Sequence, residues 1–250
     1  MRRDADERQV DVLRDLKTVL LDEKKEKIKG GIYHKLQVEM TYNSNHIEGS
    51  KLTHEQTRLI YETNTIGVSK DAVSVDDIVE TTGHFRCIDL VLDSIDEPLT
   101  EKFIKELHRL LKANTSDAAK EWFAVGDYKK WPNEVAGKET VLPEQVPGEM
   151  NRLVSTYNLV ANKSLEEIID FHHSFEMVHP FQDGNGRVGR LVMLKECLRN
   201  GIVPFVIDED LKFFYYRGLN EWKNDRAYLR DTCLTAQDKF KAWMKYFRIE

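Results

Sequence analysis

His179-Pro-Phe-Gln-Asp183-Gly184-Asn185-Gly186-Arg187-Val-Gly189-Arg190 is the stretch on which the reading of this chain turns. Upstream, Ser164 followed by Glu167 makes a capping box, and Leu165, Ile168, Ile169, His172 and Phe175 then recur on one helical face. Pro180 ends that helix, because the residue before a proline is pushed out of the helical region. Downstream, a helix from about Gly186 to Asn200 buries Leu191, Leu194, Cys197 and Leu198, with Gly201 as its stop. The stretch is therefore a turn that opens a helix.

A helix start presents unpaired N–H groups and a partial positive charge. Gly184 and Gly186 leave that start bare, so a phosphate can lie against the backbone. Arg187 and Arg190 share a helical face and suit a polyphosphate. Asp183 offers the hard oxygen ligand that Mg²⁺ prefers. His179 is the one group in the stretch that exchanges a proton near neutral pH. Gly184-x-Gly186-x-x-Gly189 also fits a dinucleotide fingerprint, but that reading needs a strand in front of it, and the upstream periodicity is helical.

The pattern His179-Pro-Phe-x-Asp183-Gly184-Asn185-Gly186-Arg187-x-x-Arg190 resembles the complete signature of the Fic domain family. Related Doc-type kinases carry lysine where this chain has Gly186, so the resemblance leans to nucleotidyl transfer. It implies an all-α fold, a Fic-type helical bundle with a small β-hairpin flap beside the active site. The implied activity moves AMP from ATP onto a Ser, Thr or Tyr hydroxyl of a target protein. In that reading His179 is the base and Asp183 holds Mg²⁺. Gly184, Asn185 and Gly186 receive the phosphates, and Arg187 and Arg190 hold the β- and γ-phosphates.

Composition agrees with an ordinary globular chain: 250 residues, 41% apolar and 32% charged. A net charge of −6 gives no electrostatic reason to expect nucleic acid or an acidic membrane as partner. Cys87, Cys197 and Cys233 are odd in number and lack metal-type spacing, so buried reduced thiols are expected. No run reaches membrane-spanning length and the first residues lack a signal-peptide apolar core, which makes the cytoplasm the expected compartment.

From the start of the chain, residues 5 to 29 read as a charged amphipathic helix that leaves room for a homo-oligomer. A second helix runs from about Ile32 and closes on Ser44-Asn-His-Ile-Glu48-Gly49. Glu48 there faces the negative end of the helix dipole, so it is either solvated or held by a cation. Ser44-x-x-x-Glu48-Gly49 is similar to the inhibitory motif of many Fic proteins. The resemblance implies that Glu48 pairs with Arg190 and withholds it from the ATP γ-phosphate. Residues 1–70 are thus expected to form an N-terminal helical region with the inhibitory helix at about 32–49. Residues 71–250 are expected to form the catalytic core and C-terminal helices, packed with it as one unit.

Thr53, Ser74 and Thr100 read as caps of scaffold helices. Residues 126–143 suggest a marginal hairpin, limited by Pro132 and Pro143. Their position is similar to that of the Fic flap, so Asn133, Val135 and Gly137 are carried over as target-docking residues. Tyr215 and Tyr216 stand where Fic proteins often place aromatics near the adenine, although such tyrosines are commonly core. Rival readings are another nucleotide donor such as UTP, GTP or CDP-choline, removal of AMP from a modified protein, or a nucleotide-binding module without turnover. Self-modification is also open.

Overall fold

The structure is a computed structural model that describes residues 16–68, 72–135 and 137–249. Its centre is a helix that sequence periodicity alone would place at a surface. Helix α8 (Asn185–Arg199) mixes charged and apolar residues, yet all of them but Gly186 and Arg199 are buried. Val188, Leu191, Val192, Leu194 and Leu198 join the main core. Met193 and Cys197 join a second cluster on the other side. A helix buried all round must neutralise its charges internally. Lys195, for example, donates to the Glu97 carbonyl at 2.6 Å and to Glu196 at 3.1 Å.

Around α8 stand the helices that position the site. In chain order they begin with α1, helical over residues 16–26, then α2 (Ile32–Ile47) and α3 (His54–Thr63). Next come α4 (Val75–Asp93) and α5 (Glu101–Lys112), followed by a 3-10 turn at Ser116–Ala119. The chain then runs through α6 (Val146–Asn158) and α7 (Leu165–Val178) to α8. It ends with α9 (Glu209–Glu221) and α10 (Ala227–Tyr246). Helices α2, α4, α5 and α7 all pack on α8. Gly83 lets α4 and α5 close up, since a Cβ there would lie 2.5 Å from the Leu110 carbonyl.

The local signals behave as their chemistry requires. Thr53 and Ser164 each close a capping box, and the Thr100 hydroxyl accepts from the Phe103 N–H. Ser74 differs: it starts α4 without a side-chain cap, and Asp76 and Asp77 supply the negative charge in the first turn. The fold is all-α. Its β structure among the described residues is one antiparallel pair, β1 (Glu134–Val135) with β2 (Lys138–Glu139). This hairpin is shorter than the stretch 126–143 suggested, because Pro132 and Pro143 lack ladder donors and Glu134 faces Glu139 across the pair. The N-terminal helix expected over 5–29 is helical at 16–26; its first part lies outside the described residues. All three cysteines are buried free thiols. Among the described residues no helix is long and apolar enough to cross a membrane.

Candidate active site

Helix α7 ends on His179, whose backbone takes the left-handed conformation (φ 49°, ψ 61°) while its N–H still donates to the Phe175 carbonyl at 2.9 Å. Pro180 then forces the chain into a short loop. Gly184, at φ 83°, turns that loop into α8, a conformation glycine adopts without strain. Phe181 anchors the loop, stacked at 4.0 Å on His108. Asn185 spends both ends of its amide on Phe181, accepting from its N–H at 2.8 Å and donating to its carbonyl at 2.9 Å. Its side chain is therefore a staple of the loop, and its backbone N–H is what it can offer to an anion.

His179 is mostly buried. Burial first, and the Lys129 ammonium second, hold its imidazole down at about 4. It is neutral at pH 7 and able to accept a proton. Asp183 is half-exposed. Burial works against its charge, but Arg187 and Lys112 overcome this and hold it down at about 2. Lys112 Nζ lies 2.7 Å and Arg187 Nη2 3.1 Å from Asp183 Oδ2. Both cations also bond Glu80, and Lys112 lies 3.1 Å from Asp117. A single ionised carboxylate with one oxygen free of these contacts fits Mg²⁺, which takes one or two carboxylates and completes its shell with water and substrate phosphates.

Arg190 is buried against α2. Its Nε donates to Ser44 Oγ at 3.0 Å, and its Nη2 donates to the Ser44 carbonyl at 2.9 Å and to Glu48 Oε1 at 2.7 Å. Burial disfavours the guanidinium's charge, but Glu48 restores it and pushes the pKa above the ordinary arginine range. Glu48 lies over the first turn of α8: a Cβ on Gly186 would run into its carboxylate. Ser44, Glu48 and Arg190 thus form one cluster at the start of α8.

The flap residues divide. Asn133 belongs to the hairpin stem, where its Nδ2 donates to the Phe181 carbonyl at 3.0 Å and its Oδ1 accepts from Lys129 at 2.7 Å. Lys129 N–H donates to the Pro180 carbonyl at 2.8 Å. Val135 is half-buried in β1, and Gly137 makes the turn at φ 74°. Of the two tyrosines, Tyr215 is buried beneath Arg190, with its ring centre 5.8 Å from the guanidinium, and its hydroxyl lies 2.6 Å from His172 Nε2. Tyr216 is partly exposed.

Several residues that shape this site do not stand out in the sequence. Lys112 reads as a helix-end lysine and Glu80 as an ordinary surface acid. Glu176 is legible in retrospect, since three helical positions before His179 puts it on the same face.

The Fic/DOC family matches over residues 98–197. Over those residues the chain is similar to a Fic domain. Residues 179–190 and the flap lie inside that span. Over 184 residues the chain is 27% identical to a protein adenylyltransferase Fic of Nematostella vectensis, covering 72% of this chain and 42% of that protein. It is 29% identical over 187 residues to the protein of the same name from Drosophila grimshawi, covering 71% and 36%. The chain thus matches well under half the length of these curated relatives. Among solved structures, a Fic domain containing signaling protein from Bacteroides thetaiotaomicron superposes with a TM-score of 0.73 at 26% identity, covering 95% of this chain and 94% of that one. Fic-1 from C. elegans shares the fold at TM-score 0.67 and 20% identity, covering 98% and 74%.

Proposed function

We propose that this chain is a self-inhibited protein adenylyltransferase that moves AMP from ATP to a Ser, Thr or Tyr hydroxyl of a target protein. The observation that carries the reading is a neutral, buried His179 next to a bare helix start whose two arginines are held by carboxylates. The triphosphate lies along the Gly184–Gly186 backbone, with Arg187 and Arg190 on its β- and γ-phosphates. His179 takes the proton from the target hydroxyl. The oxygen attacks the α-phosphorus in line and forms the new P–O bond as pyrophosphate leaves with the electrons of the old one. Mg²⁺, when bound at Asp183, supplies charge neutralisation to the phosphates. Asp183, held ionised by Arg187 and Lys112, is ready to bind it without first losing a proton.

Self-inhibition rests on the contacts of Glu48. With Glu48 on Arg190, the cation for the γ-phosphate is engaged and the carboxylate faces the incoming phosphates. The test is to incubate native chain, Glu48→Gly and His179→Ala with Mg²⁺, α-labelled ATP and a cell lysate. Label is expected on protein mainly with Glu48→Gly and not with His179→Ala. Equal labelling by native chain and Glu48→Gly would remove self-inhibition. Absence of label with all three would remove ATP as donor or AMP transfer as the reaction, and labelled UTP, GTP and CDP-choline would then be compared.

A further inference from the structure

Behind His179 lie three buried polar atoms that have no hydrogen-bond partner among the described residues: His179 Nδ1, Glu176 Oε1 and His172 Nδ1. Helix α7 places His172 and Glu176 four residues apart and His179 three further on, along one face. Glu176 Oε2 lies 3.9 Å from His179 Nδ1. The other two atoms meet over Gly189 of α8, where a Cβ would lie 2.7 Å from His172 Nδ1 and 2.9 Å from Glu176 Oε1. Beyond them, His172 Nε2 reaches the Tyr215 hydroxyl at 2.6 Å.

A neutral carboxyl group satisfies all three atoms at once. Its carbonyl oxygen accepts from the Nδ1–H of His179, and its O–H donates to Nδ1 of His172, whose Nε2–H donates to the Tyr215 hydroxyl. The His179 contact must shorten by about 1 Å to become a hydrogen bond. Catalytic hydrogen bonds commonly tighten in that way when substrate binds. Burial first, and the Glu48 carboxylate second, push Glu176 up to about 8, against the opposing pull of Arg190, so the neutral form is the one present at pH 7.

We propose that Glu176 is the positioning residue for His179: by accepting the Nδ1–H it fixes the tautomer whose Nε2 is bare toward the acceptor hydroxyl. The inference rests on the reading of His179 as the base. The Glu176 backbone carbonyl also draws the Nδ1–H of His179; without the carboxyl beside it, that weaker contact alone opposes the Nε2–H tautomer, which cannot take a proton at the reacting side. Gly189 is the complementary requirement, since any side chain there would fill the hollow in which the carboxyl turns.

The test reads the tautomer directly, by ¹⁵N NMR of histidine-labelled protein with His179→Gln assigning the signals. Native protein and Glu176→Gln are expected to keep His179 as Nδ1–H, because the glutamine carbonyl also accepts. Glu176→Met is expected to yield a mixture. In the Glu48→Gly background Glu176→Met should lower label transfer by about 100-fold at unchanged apparent ATP affinity, and Glu176→Gln by less than about tenfold. The same His179 tautomer in Glu176→Met as in native protein overturns the proposal.

Should Glu176→Met fail to fold, the pH response of the His179 nitrogens decides the matter. The charged and titratable groups facing this pair are Glu48 at the end of α2, Arg190 on α8, Tyr215 and Tyr216 on α9, His172 on α7, Lys129 in the hairpin stem and Asp183 in the loop. A response near pH 8 that Glu176→Gln removes supports the proposal. One that persists unchanged belongs to Lys129, held down at about 8 by burial, and overturns it. These spectra need no turnover. The expected tautomer without any label transfer would sink the adenylyltransferase reading alone, and transfer without the tautomer difference would sink the role of Glu176 alone.

Discussion

At the scale of single residues, burial sets the chemistry of this site. An exposed histidine begins to gain its proton near pH 6.5, whereas His179 is held down at about 4. The rate of label transfer by Glu48→Gly is therefore expected to stay level as pH falls from about 7 to about 5, with its acid limb below that. A limb near 6.5 in the pH–rate profile would mean that the base is a solvated imidazole. His179→Ala should lose at least about 100-fold in rate while ATP binding, followed by calorimetry, survives. How much of this was legible depended on contiguity. His179, Asp183, Arg187 and Arg190 stand within twelve residues, so their types and spacing announce a phosphate site. Lys112 and Glu80 join them from distant helices, and lone charges on amphipathic helices look like solvated ones. Asn133, expected as a docking residue, also braces the hairpin stem to the loop through its amide, a tie that its place in the sequence does not announce.

At the scale of elements, helix starts were the most readable feature, because a cap is a local bargain between a hydroxyl and an N–H three residues on. The full burial of α8 was not, since its one legible apolar stripe, Leu191, Leu194, Cys197 and Leu198, marks a single face while Arg187, Arg190, Lys195 and Glu196 look like solvated charges. The α4–α5 pair depends on the missing side chain at Gly83. Gly83→Ala should destabilise the chain by about 1–3 kcal/mol, because the obstacle is the backbone carbonyl of Leu110 rather than a movable side chain. Chemical denaturation would show it as a lower midpoint at unchanged slope. The substitution also bears on the site, since Glu80 on α4 and Lys112 on α5 are the pair that meets Arg187 and Asp183. A variant as stable as the native chain would mean that the two helices separate without cost.

At the scale of the whole molecule, five histidines held down by burial, His173 among them, make the fold sensitive to acid. Burial holds His84, His108 and His172 down at about 3 and His179 at about 4. Each binds its proton more readily in the unfolded chain, near 6.5, so its neutral form stabilises the fold above that pH and the benefit is lost as pH falls toward 4. Each contributes a loss of up to about 1.4 kcal/mol per pH unit in that window. The urea midpoint should fall steadily below about pH 6.5, and a midpoint that holds level to pH 5 would contradict the burial of these rings. The arrangement of α2 across α8 has a consequence of another kind. Ser44 and Glu48 reach Arg190 from within one polypeptide. Their hold is a first-order equilibrium that dilution cannot weaken, and a free α2 peptide added to Glu48→Gly would have to rival an effective concentration in the millimolar range. Such a hold yields to a competitor for Arg190 or to a shift of α2 itself, which is tied to α9 where His46 meets Glu209 at 3.0 Å.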